Sequence, residues 1–415
     1  MNTKTSSKRN RILLVSPYFP YPAHDGGKVR IFNLIKHLSV DNDIYLLSYI
    51  ENEGVKCNIG EMQRYCKDVF VVVRNENNRI VEEKLPRSVS FFYTKVMIDE
   101  LARVVDLVKP DLVQIDFLIM TQYVNHIKDS IPVIYTEHDM SNINFEQSFH
   151  DRDLCEKERF IEWTRLISYE KAILNKFNSV IVLTKRDMEL LKEFCPGCKI
   201  VLVPTGVDVE YYKNTNPNPN KTNNNLIYIG HYKHYPNYDA VEYFVKDIYP
   251  IICNSVEDVK FNIVGSGVTE NLRRLEKENI NIVGEVDDVR YYLNNARVFV
   301  APIRLGGGIK GKILEAMACG IPVVATEEAK SGIDCKPGRD IIVVKDSIEF
   351  AIKTVELLRN RKYCDEIADN ARKNVELIYD WRKIADNLNS YYSCIISGKL
   401  LRAPFQKTES RYANL

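Results

Sequence analysis

Three consecutive glycines, Gly306, Gly307 and Gly308, stand between an apolar run at 298–301 and a helical pattern at 310–318. A glycine run at that point lets the backbone approach a ligand closely and leaves N–H groups open at a helix N-terminus, which is how proteins hold phosphate. Lys310 and Lys312 add two cations at the same end, an arrangement the helix dipole opposes unless an anion neutralises it. A flexible loop with two solvated lysines is the alternative, but the chain has only 18 glycines and three of them fall together here. Glu315 lies three residues after Lys312 and shares its helix face. A carboxylate there can accept hydrogen bonds from two vicinal ribose hydroxyls, or pair with Lys312 as an exposed helix acid. Gly320 stands where a helix C′ residue belongs.

A second group lies in the other half of the chain. His138 follows the apolar run 133–136, at the C-terminal end of an expected strand, the edge where α/β sheets gather ligands. Its neighbours Glu137 and Asp139 leave open a structural histidine in a loop network. Adjacent residues do not readily chelate one ion, so His138 and Asp139 are not read as a metal pair. The acidic triplets at 41–43 and 151–153 have the form D-x-D, but the first reads as a turn before a strand and the second precedes a long helix. Cys195-Pro-Gly-Cys198 is a lone C-x-x-C, half of what structural zinc needs, and Pro196-Gly197 reads as a turn. No metal site is expected.

Short apolar runs, alternating with amphipathic segments from end to end, must position these residues. Runs at 12–15, 44–47, 70–73, 112–115, 133–135, 180–183 and 200–203 read as strands in the first half. Those at 226–229, 261–264, 280–283, 298–301, 323–325 and 341–343 do so in the second. Their unbroken Val- and Ile-rich character suits strands covered on both faces. Helical patterns such as 28–38, 155–177 and 185–193 separate them. The expected fold class is α/β, with two doubly wound domains facing across a cleft lined by the C-terminal ends of both sheets. The polar stretch 214–225 (NTNPNPNKTNNN) can bury nothing and reads as a linker or exposed loop between the halves. We expect an N-terminal domain over 1–200 and a C-terminal domain over 201–380. The last segment, 381–415, opens with a helix at Trp381 and ends in a loose tail.

The 415 residues carry 57 Lys and Arg against 56 Asp and Glu, a net charge of +1. That balance gives no basic footprint for nucleic acid, and none for anionic lipid at the level of the whole chain. A hydrophobic share of 45% suits a globular protein with a full core. No stretch approaches the roughly 18 apolar residues of a membrane span. The polar start MNTKTSSKRN precedes too short an apolar run for a signal sequence. Ten cysteines, scattered apart from the C-x-x-C, fit a reducing compartment. A soluble, cytoplasmic protein is the expectation.

Residues 306–326 (GGGIKGKILEAMACGIPVVAT) resemble the donor-site motif of retaining GT-B glycosyltransferases of family 4, also called group 1. Val203-Pro-Thr-Gly-Val-Asp208 is similar to that family's interdomain P-N-G-V-D segment. Tyr228-Ile-Gly230 with Asn237, Val264-Gly-Ser-Gly267, residues 284–288, Asp25-Gly26-Gly27 and His138-Asp139 match in the right order. The resemblance implies two Rossmann-like domains and transfer of a sugar from a nucleotide-diphosphate sugar to an acceptor hydroxyl. It further implies retention, no metal or other cofactor, and a place in polysaccharide or glycoconjugate biosynthesis.

In that family the second acid of an E-x7-E pair binds the donor ribose, and Glu315 matches it. Gly307 occupies the place of the first acid, so the amides of Gly307 and Gly308 would meet the donor sugar instead. The Arg and Lys that usually grip the diphosphate are replaced by His231 and Asn237, which makes Lys310 and Lys312 the leading diphosphate ligands. By the same resemblance His138 contacts the donor sugar. His138, Lys310 and Glu315 are then the catalytic candidates, with Gly26, Gly27, Gly230, Gly306, Gly307, Gly308, Ile309 and Lys312 lining the donor. The acceptor would be a glycan, a lipid-linked molecule or another hydroxyl compound, the second of these implying peripheral membrane association. The alternatives are a non-catalytic nucleotide-sugar-binding subunit and a nucleotide-sugar epimerase of the same fold.

Overall fold

The computed structural model describes residues 9–75, 79–80, 82, 84–138, 140, 155–214 and 224–398. It divides into two compact units, one running to Pro204 and resuming at Ile384, the other Thr205–Lys383. Asp139, the triplet at 151–153, residues 215–223 of the polar stretch and the tail beyond Gly398 lie outside the described residues.

In the first unit β1 (Asn10–Ser16), β2 (Asn42–Ile50), β3 (Asp68–Val73), β4 (Leu112–Asp116), β5 (Val133–Thr136), β6 (Ser179–Val182) and β7 (Ile200–Leu202) form one sheet. Its order is β3-β2-β1-β4-β5-β6-β7, with every pair parallel. The second unit repeats the plan with β8 (Asn225–Ile229), β9 (Lys260–Val264), β10 (Ile280–Gly284), β11 (Val298–Ala301), β12 (Val323–Thr326) and β13 (Ile342–Val344). Their order is β10-β9-β8-β11-β12-β13, again parallel throughout. Each apolar run expected as a strand is one. Helices cover both faces, which is why Ile12, Leu13 and Val15 in β1 and Val298, Phe299 and Val300 in β11 are all buried whichever way they point. The winding direction reverses between β1 and β4, and between β8 and β11. In open parallel sheets ligands bind outside the carboxyl ends of the strands at that reversal.

Helix α1 (Gly26–Leu38) starts two residues before the expected Lys28, because the Asp25 carboxylate accepts from the Lys28 N–H at 3.0 Å and caps it. Gly26 and Gly27 therefore form its first turn and are not part of a loop. Helix α2 (Glu156–Leu174) follows β5, and α3 (Lys185–Phe194) is capped by Thr184. After α3 the Cys198 N–H donates to the Cys195 carbonyl at 3.0 Å, the expected turn. The two sulfurs are also joined as a disulfide, where sequence suggested only separate thiols. The Pro-Gly turn sets their Cα atoms 5.6 Å apart, within disulfide reach. The second unit contributes α4 (Tyr235–Tyr243) and α5 (Gly311–Ala318). Past α5 the N–H groups of Gly320 and Ile321 donate to Met317 and Ala316, closing the helix as a Schellman motif. Helix α6 (Trp381–Ile396) belongs largely to the first unit, where Tyr392 donates to Gln114 and Asn389 accepts from Asn42 at 3.0 Å. No described helix is long and apolar enough to cross a membrane.

Helix α2 carries a buried acid, Glu170, beside Glu137 in the segment after β5, and the Tyr135 hydroxyl donates to Glu137 at 2.5 Å. Burial pushes the Glu170 carboxyl up from 4.5 to about 7, against the opposing hydrogen bond with Glu137. The folded chain thus holds this proton more tightly than the unfolded chain does. Its contribution to stability is complete below pH 4.5 and is lost as pH rises through about 7. Melting temperatures across that window are expected to fall less steeply in Glu170→Gln, and an unaltered slope would contradict the assignment.

Candidate functional site

In the second unit, β8 and β11 bracket the point of reversal, and the loops that leave them carry most of the candidate residues. Gly230 follows β8 and touches the loop after β9 backbone to backbone. Gly265 there has a φ of +133°, and a Cβ on it would lie 1.9 Å from the Gly230 carbonyl oxygen. Only glycine fits. The Gly230 N–H donates to Val264 at 3.0 Å and the Gly265 N–H to Gly284 at 2.8 Å, so both loop starts are fixed. Gly265 had no signal in sequence beyond its place in G-S-G.

Between β11 and α5, Gly306 and Gly308 adopt φ values of +92° and +72°, which coil the chain into the helix start. Ile309 packs against the core of the second unit. Lys310 turns back on this loop, its ammonium donating to the carbonyls of Gly306, Gly307 and Gly308 at 2.7, 2.8 and 3.0 Å. It braces the loop's carbonyl side. Arg304, not anticipated from sequence, fastens the loop to α4. Its guanidinium donates to both oxygens of Asp239 at 2.6 and 3.1 Å and lies 4.2 Å over the Tyr243 ring.

Lys312 is the site's enclosed cation. Its ammonium donates to Asn237 Oδ1 at 2.5 Å and to the Tyr228 hydroxyl at 3.2 Å, and sits 4.7 Å from the Tyr228 ring centre. Asn237 in turn donates to the His231 carbonyl at 2.9 Å. Asn237 and Tyr228 therefore hold a lysine in place. Burial pushes the Lys312 ammonium down from 10.5 to about 7; Glu315 opposes the fall and Lys310 adds to it. Burial likewise raises the Glu315 carboxyl, against the Tyr212 phenol and Lys312. Tyr212, far away in sequence, is the partner that periodicity could not reveal. His234 is pushed down by burial and then by Lys312, His231 and Lys310. Burial leads all three shifts, and at His234 and Lys312 the neighbouring cations add to it, as a locally positive field does. A helix start, a glycine loop and an enclosed lysine thus stand together at one sheet edge.

The first unit gathers Gly26, Gly27 and His138 at the carboxyl edge of its own sheet. His138 Nε2 lies 3.0 Å from Asp116 Oδ1, and its ring stacks on Phe117 at 3.8 Å between centroids. Gln114 donates to the other Asp116 oxygen at 3.1 Å. Gly27 fits beneath this stack, since a Cβ on it would lie 2.7 Å from Phe117 Cζ, whereas Gly26 has nothing within 4 Å of that position. Phe117 itself has a φ of +71°, a value bulky residues avoid. Strain of this kind clusters at functional sites. Asp116 and Phe117 were missed in sequence, although a Gln and an Asp inside the apolar β4 were a visible irregularity. Among the described residues, no group of three His, Cys, Asp or Glu side chains converges as metal ligands would.

Two parallel sheets wound this way, one of them carrying a glycine loop and an enclosed lysine at its carboxyl edge, form the architecture of a GT-B transferase. Family models match in both halves of the chain: "Glycosyltransferase Family 4" at residues 57–211 and "Glycosyl transferases group 1" at residues 223–360. An uncharacterised 44.6 kDa protein in the cps region of Klebsiella pneumoniae is 22% identical over 91% of this chain and 98% of its own. A phosphatidyl-myo-inositol mannosyltransferase of Mycobacterium leprae is 29% identical over 48% of this chain and 54% of its own. Among solved structures, sucrose-phosphate synthase from Thermosynechococcus elongatus has a TM-score of 0.70 at 17% identity, covering 94% of this chain and 100% of that one. Anabaena HepE in complex with UDP and glucose has a TM-score of 0.65 at 13% identity, covering 93% and 100%. The chain belongs to the group 1, family 4-type glycosyltransferases.

Proposed function

We propose that this glycosyltransferase moves a sugar from a nucleoside-diphosphate sugar to an acceptor hydroxyl with retention of configuration, using its own cations in place of a metal. The observation that carries this reading is the enclosed Lys312 beside the glycine loop and the α5 start, all on one sheet edge. As the bond from sugar to diphosphate breaks, negative charge grows on the leaving phosphate. Lys312 and the amides of the α5 start stabilise it, and Lys310 holds the loop that presents those amides. Glu315 is the acceptor for the ribose hydroxyls. Gly307, standing where the family has its first acid, leaves backbone amides to meet the donor sugar. His138, held by Asp116 and Phe117, is the candidate contact for the transferred sugar.

Polysaccharide or glycoconjugate assembly is the proposed setting, and the Mycobacterium leprae relative named for phosphatidyl-myo-inositol supports including lipid-linked acceptors and peripheral membrane association. The test is a thermal-shift screen of the full chain against UDP, GDP, ADP and CMP without metal. At a hundredfold excess over Kd, one nucleoside diphosphate is expected to add about 2.7 kcal/mol, roughly 5–10 °C for a unit of this size. Glu315→Ala should abolish that shift. No response to any nucleotide would refute the donor site.

A further inference from the structure

A pocket of about 110 Å³ opens within the first unit, lined among others by Tyr18, Tyr21, Lys28, Tyr49, Glu51 and Arg74. A single water needs only about 15 Å³ by the same measure, so the space suits a small molecule. Its place is chemically telling: Tyr18 and Tyr21 follow β1, Glu51 follows β2 and Arg74 follows β3, all on the carboxyl edge where such sheets bind ligands. The buried Tyr49 spends its hydroxyl on Thr94 and Tyr123, at 2.7 and 2.9 Å, and leaves a plain ring as wall. Lys28 lies 3.7 Å from Asp25.

Arg74, unlike Lys28, is seated on aromatic rings. Its guanidinium lies 4.7 Å over the Phe91 ring and 5.2 Å over the Phe92 ring, which fixes its direction. Among the described residues no carboxylate pairs with it, although Glu51 lines the same pocket. A half-buried guanidinium seated over two rings, with no carboxylate partner among the described residues, is arranged for a carboxylate or phosphate arriving from outside. Burial pushes the Tyr18 phenol up, Arg74 opposes that rise and Asp25 and Glu51 add to it, so all three charges lie within reach of this ring. The polar groups therefore converge on one space, with aromatic faces for the C–H side of a sugar ring and Glu51 to accept its hydroxyls.

We infer that this pocket binds the acceptor, and that the acceptor is a sugar bearing an acidic group, a uronate or a sugar phosphate, whose anion docks on Arg74. The inference rests on the transfer reading above. Methyl β-D-glucuronide, glucose 1-phosphate and methyl β-D-glucoside, titrated calorimetrically into the full chain, test it. At least one anionic sugar is expected to bind tenfold or more tighter than the neutral glucoside, and whichever it is names the source of the anion. Arg74→Gln should erase that preference, Arg74→Lys should keep part of it, and both should retain the wild-type nucleotide shift. Equal binding of all three sugars, no binding of any, or an unchanged preference in Arg74→Gln overturns the inference. So does anionic-sugar binding that is lost in Glu315→Ala, since that places the sugar in the donor site. An Arg74-dependent preference in a chain that ignores every nucleotide would leave the pocket standing and remove the transfer reading instead.

Discussion

Lys312→Met is expected to lower sugar-transfer turnover by about 10²–10³-fold, the usual loss when one fixed stabiliser of transition-state charge is removed, while leaving the empty protein folded. The two effects separate because of where the cation sits. In the empty protein, burial has already driven the Lys312 ammonium down to about 7, so the unfolded chain binds that proton more tightly. Stability therefore rises with pH between about 7 and 10.5, the range over which the unfolded chain alone stays protonated. A methionine of similar length removes that dependence and fills the same space. A bound diphosphate reverses the balance by restoring the ammonium, so nucleotide binding at pH 8 should take up ~0.9 proton per site. Calorimetry in buffers of differing ionisation enthalpy reads that uptake directly. Uptake unchanged in Lys312→Met would assign the proton elsewhere, and unchanged turnover would remove Lys312 from the mechanism.

Gly265→Ala is expected to destabilise the second unit by more than about 3 kcal/mol. The added Cβ would lie 1.9 Å from the Gly230 carbonyl oxygen, and the φ of +133° is itself closed to alanine. Neither loop can retreat, because the N–H groups of Gly230 and Gly265 are bonded to Val264 and Gly284. Loss of the nucleotide-induced shift should accompany the lowered melting temperature, since these loops seat Asn237 and through it Lys312. Gly26→Ala is the matched control. That position has open space and lies in the first turn of α1, so alanine should be neutral or stabilising by roughly 0.5–1 kcal/mol. Comparable melts for the two variants would show that the contact at Gly265 is not as close as described.

The residues that act through their near neighbours were legible in the sequence. Apolar runs such as 298–301 became strands because a parallel strand buried on both faces has no other way to be written. The glycine run, the helix after it and Gly320 at its close were equally plain, since loop, cap and stop are decided within a few residues. Local capping already shows the limit. Asp25 captures Lys28 and draws Gly26 and Gly27 into a helix, and a Pro-Gly turn brings Cys195 and Cys198 together as a disulfide.

Only the tertiary structure decided which of the candidate residues meet, and with what. Asn237 reaches Lys312 across 75 positions of chain, Arg304 reaches Asp239 across 65, and Gly265 presses on Gly230 from the neighbouring strand. Parallel sheets place the ends of distant strands side by side through crossover connections, and no periodicity along the chain records which ends will be adjacent. Phe117, folded into a strained backbone to stack on His138, is the clearest case. Its residue type says only that it is apolar; its role comes from Gly27 beneath it and Asp116 beside it. The sequence thus fixes the chemical inventory and the local elements. The register of the two sheets determines which of those groups share a site, because burial and charge act through distance in space.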